Sequence, residues 1–183
     1  MTTLAFTVTF HGPFRVGAAY GRDGIDAAID HDDPLPADHL KGIMRDAAAT
    51  LLGDRSAVLG AVFGTTAAPS PWAWSSATAK DGNWRFGRNY RVKIDAETHA
   101  AAKDQLVLGE QAWPDAAAFT VTSLRPQARD EHVLVLRCAA AAVHGLGAWR
   151  RRGLGWVGIA PGDGPVTAAE VERLIALRDG SRG

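Results

Sequence analysis

The chain has 183 residues and a mass of 19.4 kDa, with 46% apolar and 22% charged residues. That size and composition predict one packed domain spanning residues 1–183 and exclude a disordered or collagen-like chain. No apolar stretch has bilayer length, and the opening MTTLAFTVTF lacks a basic n-region and a small-residue cleavage site. A soluble, cytoplasmic protein without a membrane partner is therefore expected. Lys plus Arg (20) equals Asp plus Glu (20), so net charge by itself points to no nucleic-acid partner. The distribution is uneven, however. Residues 23–38 hold six aspartates (Asp23, Asp26, Asp30, Asp32, Asp33, Asp38) and no Lys or Arg, while residues 80–93 carry Lys80, Arg85, Arg88, Arg91 and Lys93 against Asp81. Separate acidic and basic regions are hidden in the neutral total. The lone cysteine, Cys138, excludes an internal disulfide and a multi-thiolate zinc site, and its setting LRCAAAAV predicts a small buried hydrophobe.

TLAFTVTF at residues 3–10 alternates and is rich in Thr, Val and Phe, the pattern of a strand with one buried face. His11 to Pro34 is rich in Gly and Asp, follows neither period and predicts a long loop, a length that is usually functional or disordered. Asp38 is placed to cap a helix in which Leu40, Ile43, Met44, Ala47 and Leu51 recur at helical spacing, ending near Gly53. A short helix is expected from Ser56 to Phe63. Residues 64–87 combine Pro, Gly and three tryptophans and predict strand or hairpin with loose connections. RVKID, LVLGE and AFTVTSL read as further strands. HVLVLRCAAAAVHGLG has the apolar density of a buried helix ending at a glycine cap. GWVGIA predicts a closing strand and AAEVERLIALRDG a terminal helix at about 166–178, beyond a core of about 3–160. This order fits an α+β sandwich, a ferredoxin-like or RNA-recognition-like core with loop and hairpin insertions.

Three constellations carry chemistry. In HLKGIMR, Lys41 and Arg45 lie four apart on one helix face, a like-charge pair that an anion across it would relieve. Gly42 between them costs on the order of 1 kcal/mol relative to Ala, a cost explained if another backbone comes close. Taken alone, two solvated cations on a helix are ordinary. In HGLGAWRRRGLGWV, Gly145, Gly147, Gly153 and Gly155 bracket Arg150, Arg151 and Arg152. Such a loop lets backbone approach a ligand while guanidinium forks reach out, which suits the phosphates of an extended strand. Neither GxGxxG nor GxxxxGKS occurs, so P-loop and Rossmann nucleotide folds lose support. The third constellation, GRDGIDAAIDHDDP, could hold a hard divalent cation through its carboxylates or simply solvate a loop, and it lacks EF-hand spacing. His11, His31 and His39 lie nearby as possible bases.

The order of these pieces resembles the RAMP superfamily, the repeat-associated RNA-binding proteins of CRISPR effector complexes, and is most similar to the backbone subunits of type III complexes. PLPADHLKGIMR looks like the family's Pro-Gly-Ser-Ser-Leu-Lys-Gly-x-x-Arg segment, and VFG at 62–64 matches the short motif that follows. RVKIDAETHAAAKDQLVLGEQAWPDAAAFTVT is similar to the central Arg-x-x-Ile-Asp pattern. VHGLGAWRRRGLGWV looks like the C-terminal glycine-rich loop. The likeness runs from Phe6 to about Ile159. It implies a core that polymerises along a CRISPR guide RNA beside copies of itself and other effector subunits. Lys41, Gly42, Arg45, Gly145, Gly147, Arg150, Arg151, Arg152 and Gly153 would then grip the guide. It also implies cleavage of a single-stranded target RNA by a loop aspartate with Mg²⁺ or Mn²⁺. Asp26 best matches that position, with Asp23 and Asp30 as register alternatives. Ala37, Asp38 and His39 depart from the family's Gly-Ser-Ser. Residues 64–87 are the expected source of a protruding hairpin that would kink a guide–target duplex. A non-catalytic structural subunit and a metal-independent repeat-RNA processing endonuclease with a histidine base are the alternative functions.

Overall fold

A computed structural model of the chain describes residues 1–18 and 24–180. Strand β1 (Thr3–Phe10) buries Phe6 and Val8, following the alternation read from its sequence. Helix α1 (Ala37–Leu52) buries Leu40, Met44, Ala48 and Leu52, one residue per turn, and the short α2 (Ala57–Phe63) follows with Ser56 as its N-cap. Strands β2 (Trp72–Trp74) and β3 (Thr78–Ala79) come next, then the long β4 (Arg85–Ile94) and β5 (Ala101–Trp113), and β6 (Ala116–Ser123). Helix α3 (Asp130–Ala141), a 3-10 turn at Arg150–Arg152, β7 (Val157–Pro161) and α4 (Ala168–Gly180) complete the order.

The main sheet runs β2-β6-β1-β7, every neighbouring pair antiparallel, with β3 also on β6. Helices α1 and α3 are the crossovers, so the chain makes the two split β-α-β units of a ferredoxin-like core, as expected. Thr7 faces Ala118 on one side and Ala160 on the other, which fixes both inner pairings in one register. The helix-facing residues of β1 and β6 meet in a stack of Phe6 on Phe119, ring centroids 5.1 Å apart. Cys138 is buried in α3, as its neighbours predicted.

Three expectations need correction. Asp38 does not cap α1: the helix begins at Ala37 after the extended Pro36, with no side-chain cap bond. Its first N–H is met from across the fold, since Ala37 donates to Ser76 Oγ (3.2 Å) and Ser76 donates to Asp33 Oδ2 (2.8 Å). Helix α3 ends without a glycine cap. Ala142 closes it in right-handed conformation (φ −89°), which leaves Gly145 and Gly147 to the loop beyond. Of residues 64–87, only the last three, Arg85, Phe86 and Gly87, belong to a hairpin. Trp72 and Ala79 are buried where β2 and β3 pair with β6, while the hairpin is β4–β5, a separate two-stranded sheet that begins at Arg85. The reason is pairing partner: the β4 and β5 sequences match each other over their length, from Arg85 opposite Trp113 to Val92 opposite Leu106.

Helix α4 is tied to α3 by one buried cation. Arg137 donates to Glu170 Oε1 (2.6 Å) and to the Asp163 carboxylate. Glu170 also accepts from the Thr167 N–H (2.8 Å), the capping-box arrangement at a helix start. The Arg137 guanidinium and the Thr167 donors hold the Glu170 carboxyl down at about 2. A carboxylate whose folded value lies below its unfolded value stabilises fully above the latter and loses that contribution as it is protonated. The melting temperature should therefore fall as pH drops from about 4.5 toward 2, and Glu170→Gln should remove that part of the decline. Superimposable wild-type and variant profiles over this range would contradict the linkage.

Candidate nucleic-acid interface

The glycine-arginine segment folds as a closed loop pressed onto residues 13–15. Gly145 bridges to Trp156, and Leu146 N–H donates to the Gly155 carbonyl (2.9 Å), closing the loop at its base. Gly155 N–H donates to Pro13 O (2.8 Å) and Ala148 N–H to Arg15 O (2.7 Å). Two glycines are obligatory. A Cβ at Gly147 would sit 2.2 Å from the Arg15 carbonyl oxygen, and one at Gly155 would sit 2.0 Å from that of Leu146; their φ angles are +75° and +77°. A third tie comes from α1, because Gly147 N–H donates to His39 Nε2 (3.0 Å). Burial, and then the nearby Arg150, lower the His39 pKa, which keeps the imidazole neutral and its Nε2 an acceptor.

At the crown, Trp149 takes the left-handed conformation (φ 62°) and Arg150–Arg152 form one 3-10 turn that ends at Gly153. All three arginines are exposed and none has an ion-pair partner among the described residues. The Trp149 indole turns inward onto Gly109 of β5, where a Cβ would lie 2.6 Å from the ring. Arg15 and Arg91 stand over this indole at 4.8 and 4.1 Å from its centroid. Such contacts are worth about 0.5–2 kcal/mol each, depending on desolvation. The ring thus joins three pieces: the loop, the 13–15 segment and the hairpin root. Beside it lies a cleft of about 840 Å³ lined in part by Tyr90, Arg91, Gln105, Trp149 and Arg152. Desolvation and the charge of Arg152 lower the Arg91 pKa, and its buried Nε has no acceptor among the described residues. Two guanidinium groups held close, with no carboxylate among the described lining residues, make a surface complementary to an anion.

Of the predicted grip residues, the loop members fall together, and α1 borders the loop across a cleft lined in part by Ile43, Asp46, Gly145 and Arg150 but not by Lys41 or Arg45. Lys41 is half-buried and Arg45 exposed. Gly42 faces open space: a Cβ added there would meet nothing within 4 Å, so no backbone among the described residues approaches as its presence had suggested. His39, the departure from the family pattern, supplies α1's contact with the loop instead.

The aspartate loop serves the hairpin. Asp26 and Ala27 N–H groups donate to Leu108 O, and the Asp26 carboxylate accepts from Leu108 N–H (2.8 Å). Asp30 accepts from the N–H groups of Asp32 and Asp33, an Asx turn. Asp23 lies outside the described residues. No three His, Cys, Asp or Glu side chains among the described residues form a group able to hold a metal ion. A single exposed carboxylate with one oxygen already bonded is not a Mg²⁺ or Mn²⁺ site in itself, so the residues described do not fit a resident metal. His31 stacks on Phe86 (3.9 Å) and approaches Glu110 (3.3 Å), and His11 meets Trp156 edge-on.

The sequence names His39 only as a base and Arg91 only within the basic run 80–93, and it does not mark Arg15, Trp149 or Trp156 as site residues. Only Trp149 and Trp156 carried a local signal, as aromatics flanking the glycines and arginines.

No protein-family model and no curated protein matches the chain. Solved structures do match in fold. A chain of "Cryo-EM structure of the Type III-B Cmr-beta bound to cognate target RNA" superposes with a TM-score of 0.60 at 18% identity. That match covers 87% of this chain and 60% of the other, so this chain spans less than two thirds of its length. A chain of "Type III-B Cmr-beta Cryo-EM structure of the Apo state" gives a TM-score of 0.70 at 12% identity over 87% of this chain and 97% of that one. The α+β fold expected from the sequence is thereby met. No helix among the described residues is long and apolar enough to cross a membrane.

Gly147→Ala should destabilise the protein far more than Gly153→Ala. Both residues have positive φ, which costs a non-glycine about 1–2 kcal/mol, but only Gly147 also abuts backbone. Equal shifts in urea midpoint would show that contact with Arg15 does not set the loop.

Proposed function

We propose that this protein is a guide-RNA-binding backbone subunit of a type III CRISPR effector complex. The observation that carries the reading is the crown of three exposed arginines, unpaired among the described residues and held on a glycine loop that is locked into a ferredoxin-like core. The likeness in fold to chains of type III-B Cmr-beta, one of them bound to cognate target RNA, supports the same reading. An extended RNA strand would lay its phosphates along the crown. The rigid base of the loop means that little conformational entropy is lost on binding. A head-to-tail contact that does not close on itself would array copies of the chain along one guide, with other effector subunits at the ends.

Replacing Arg150, Arg151 and Arg152 together with Ala should weaken single-stranded RNA binding and flatten its salt dependence. Each lost phosphate contact removes about 0.7 from the slope of log K against log salt, so the triple variant should lose up to about 2. Unchanged affinity and slope in a folded variant would refute the placement of the RNA.

Cleavage of bound target RNA at Asp26 is a second, narrower proposal. What favours it is position: the carboxylate is exposed, yet pinned by Leu108 to the root of the hairpin, beside the Trp149 joint. Because the described residues do not build a metal site, a Mg²⁺ or Mn²⁺ there would take its remaining ligands from water and RNA phosphate. Asp26→Ala should abolish metal-dependent cutting of a complementary strand and leave guide binding intact. A wild-type protein that never cuts such a target would leave the structural-subunit function alone standing.

A further inference from the structure

Six tryptophans are present, and five are buried or half-buried; Trp156 is 70% exposed. Its neighbours, Gly155 and Val157, are both buried, and its carbonyl accepts from His11 N–H (2.9 Å). Its own position is bridged to Gly145. The indole is thus carried on a backbone fixed from both sides while the ring itself stands in solvent. Alternation along β7 puts Val157 and Ile159 against the helices, so Trp156 shares the open face with Gly158 and Ala160, whose partners on β1 are Thr9 and Thr7. Over these small residues lies the His11 imidazole, which meets the Trp156 ring edge-on at 6.5 Å between centroids and would stand 3.8 Å from a Cβ at Gly158, so it flanks the ring while leaving it 70% exposed.

The ring forms one wall of a cleft of about 350 Å³ whose other lining includes His144, Gly145, Arg150, Gly153 and Leu154. No carboxylate among the described residues lines it. An exposed aromatic face next to a guanidinium with no ion-pair partner among the described residues matches a nucleotide on both counts, the base for the ring and the phosphate for the cation. A protein partner would find the same indole attractive, but it would have to bring a carboxylate for Arg150. Walls built of glycine, leucine, histidine and arginine favour the polyanion.

We infer that Trp156 is a base-stacking platform for single-stranded RNA, seated beside Arg150 at the foot of the glycine-arginine loop. The inference rests on the RNA-binding function proposed above and adds a contact to the base where the arginines contact phosphate.

The test compares wild type, Trp156→Ala and Trp156→Phe in the full chain, using a fluorescein-labelled single-stranded RNA and a matched strand of abasic nucleotides. Stacking of one base is worth about 1–3 kcal/mol, so Trp156→Ala should weaken binding to the RNA by roughly 5- to 150-fold. Trp156→Phe should recover most of the loss, and the salt slope should not change in either variant, because no phosphate contact is removed. On the abasic strand all three proteins should bind alike. Wild-type affinity of Trp156→Ala for the RNA would overturn the inference. So would an equal loss on both strands, or a change in self-association without a change in RNA binding, which would assign the ring to a protein contact. If the wild type binds no RNA, the proposed function fails along with it; if it binds and the alanine variant binds equally, only the stacking role fails.

Discussion

The interface depends on one close approach, that of the glycine-arginine loop to the backbone of residues 13–15. Gly147 meets the Arg15 carbonyl there without a side chain between them, while Gly155 packs as closely on Leu146 across the base of the loop itself. Pro13 and Arg15 carbonyls then accept two loop N–H groups. A loop with three consecutive cations repels itself and gains little from burial, so its shape cannot come from its own side chains. It comes from backbone hydrogen bonds made at a distance that only glycine permits. His39 adds an acceptor for Gly147, and its low pKa keeps that acceptor available.

The same contact sets where the hairpin stands. Trp149 is the first residue of the crown, and its ring reaches Gly109 of β5 and lies under Arg15 and Arg91. Charge from two separate segments, the 13–15 stretch and β4, therefore gathers on one indole. The mutual repulsion of Arg91 and Arg152 is left uncompensated by any acid among the described residues, a cost in the free protein that an anion would offset. The aspartates lie nearby but are spent on structure: Asp26 bonds to Leu108, Asp30 closes its own turn, and Asp33 supports the start of α1 through Ser76. Acidic and basic regions that cancel in the net charge thus have different work, one fixing the scaffold and the other facing out.

Local physics determined much of this protein. Alternation identified β1, helical spacing identified α1, and apolar density identified α3, because each of those signals arises from one element burying one face in a shared core. The glycine-arginine loop was legible for a similar reason: a run of cations gains nothing from a glycine-rich backbone unless that backbone must turn tightly or come close to something. What the tertiary structure decided was partnership. Which of the strands between 72 and 113 joins the main sheet and which forms the hairpin depends on β6 accepting Trp72 and Ala79, a choice made far along the chain. The cap of α1 came from Ser76, the acceptor for Gly147 from His39, and the seat of Trp149 from Gly109. Each of these joins residues dozens of positions apart. A sequence pattern reports how a residue relates to its near neighbours, whereas a hydrogen bond or a ring contact across the fold exists only once packing has brought its two ends together.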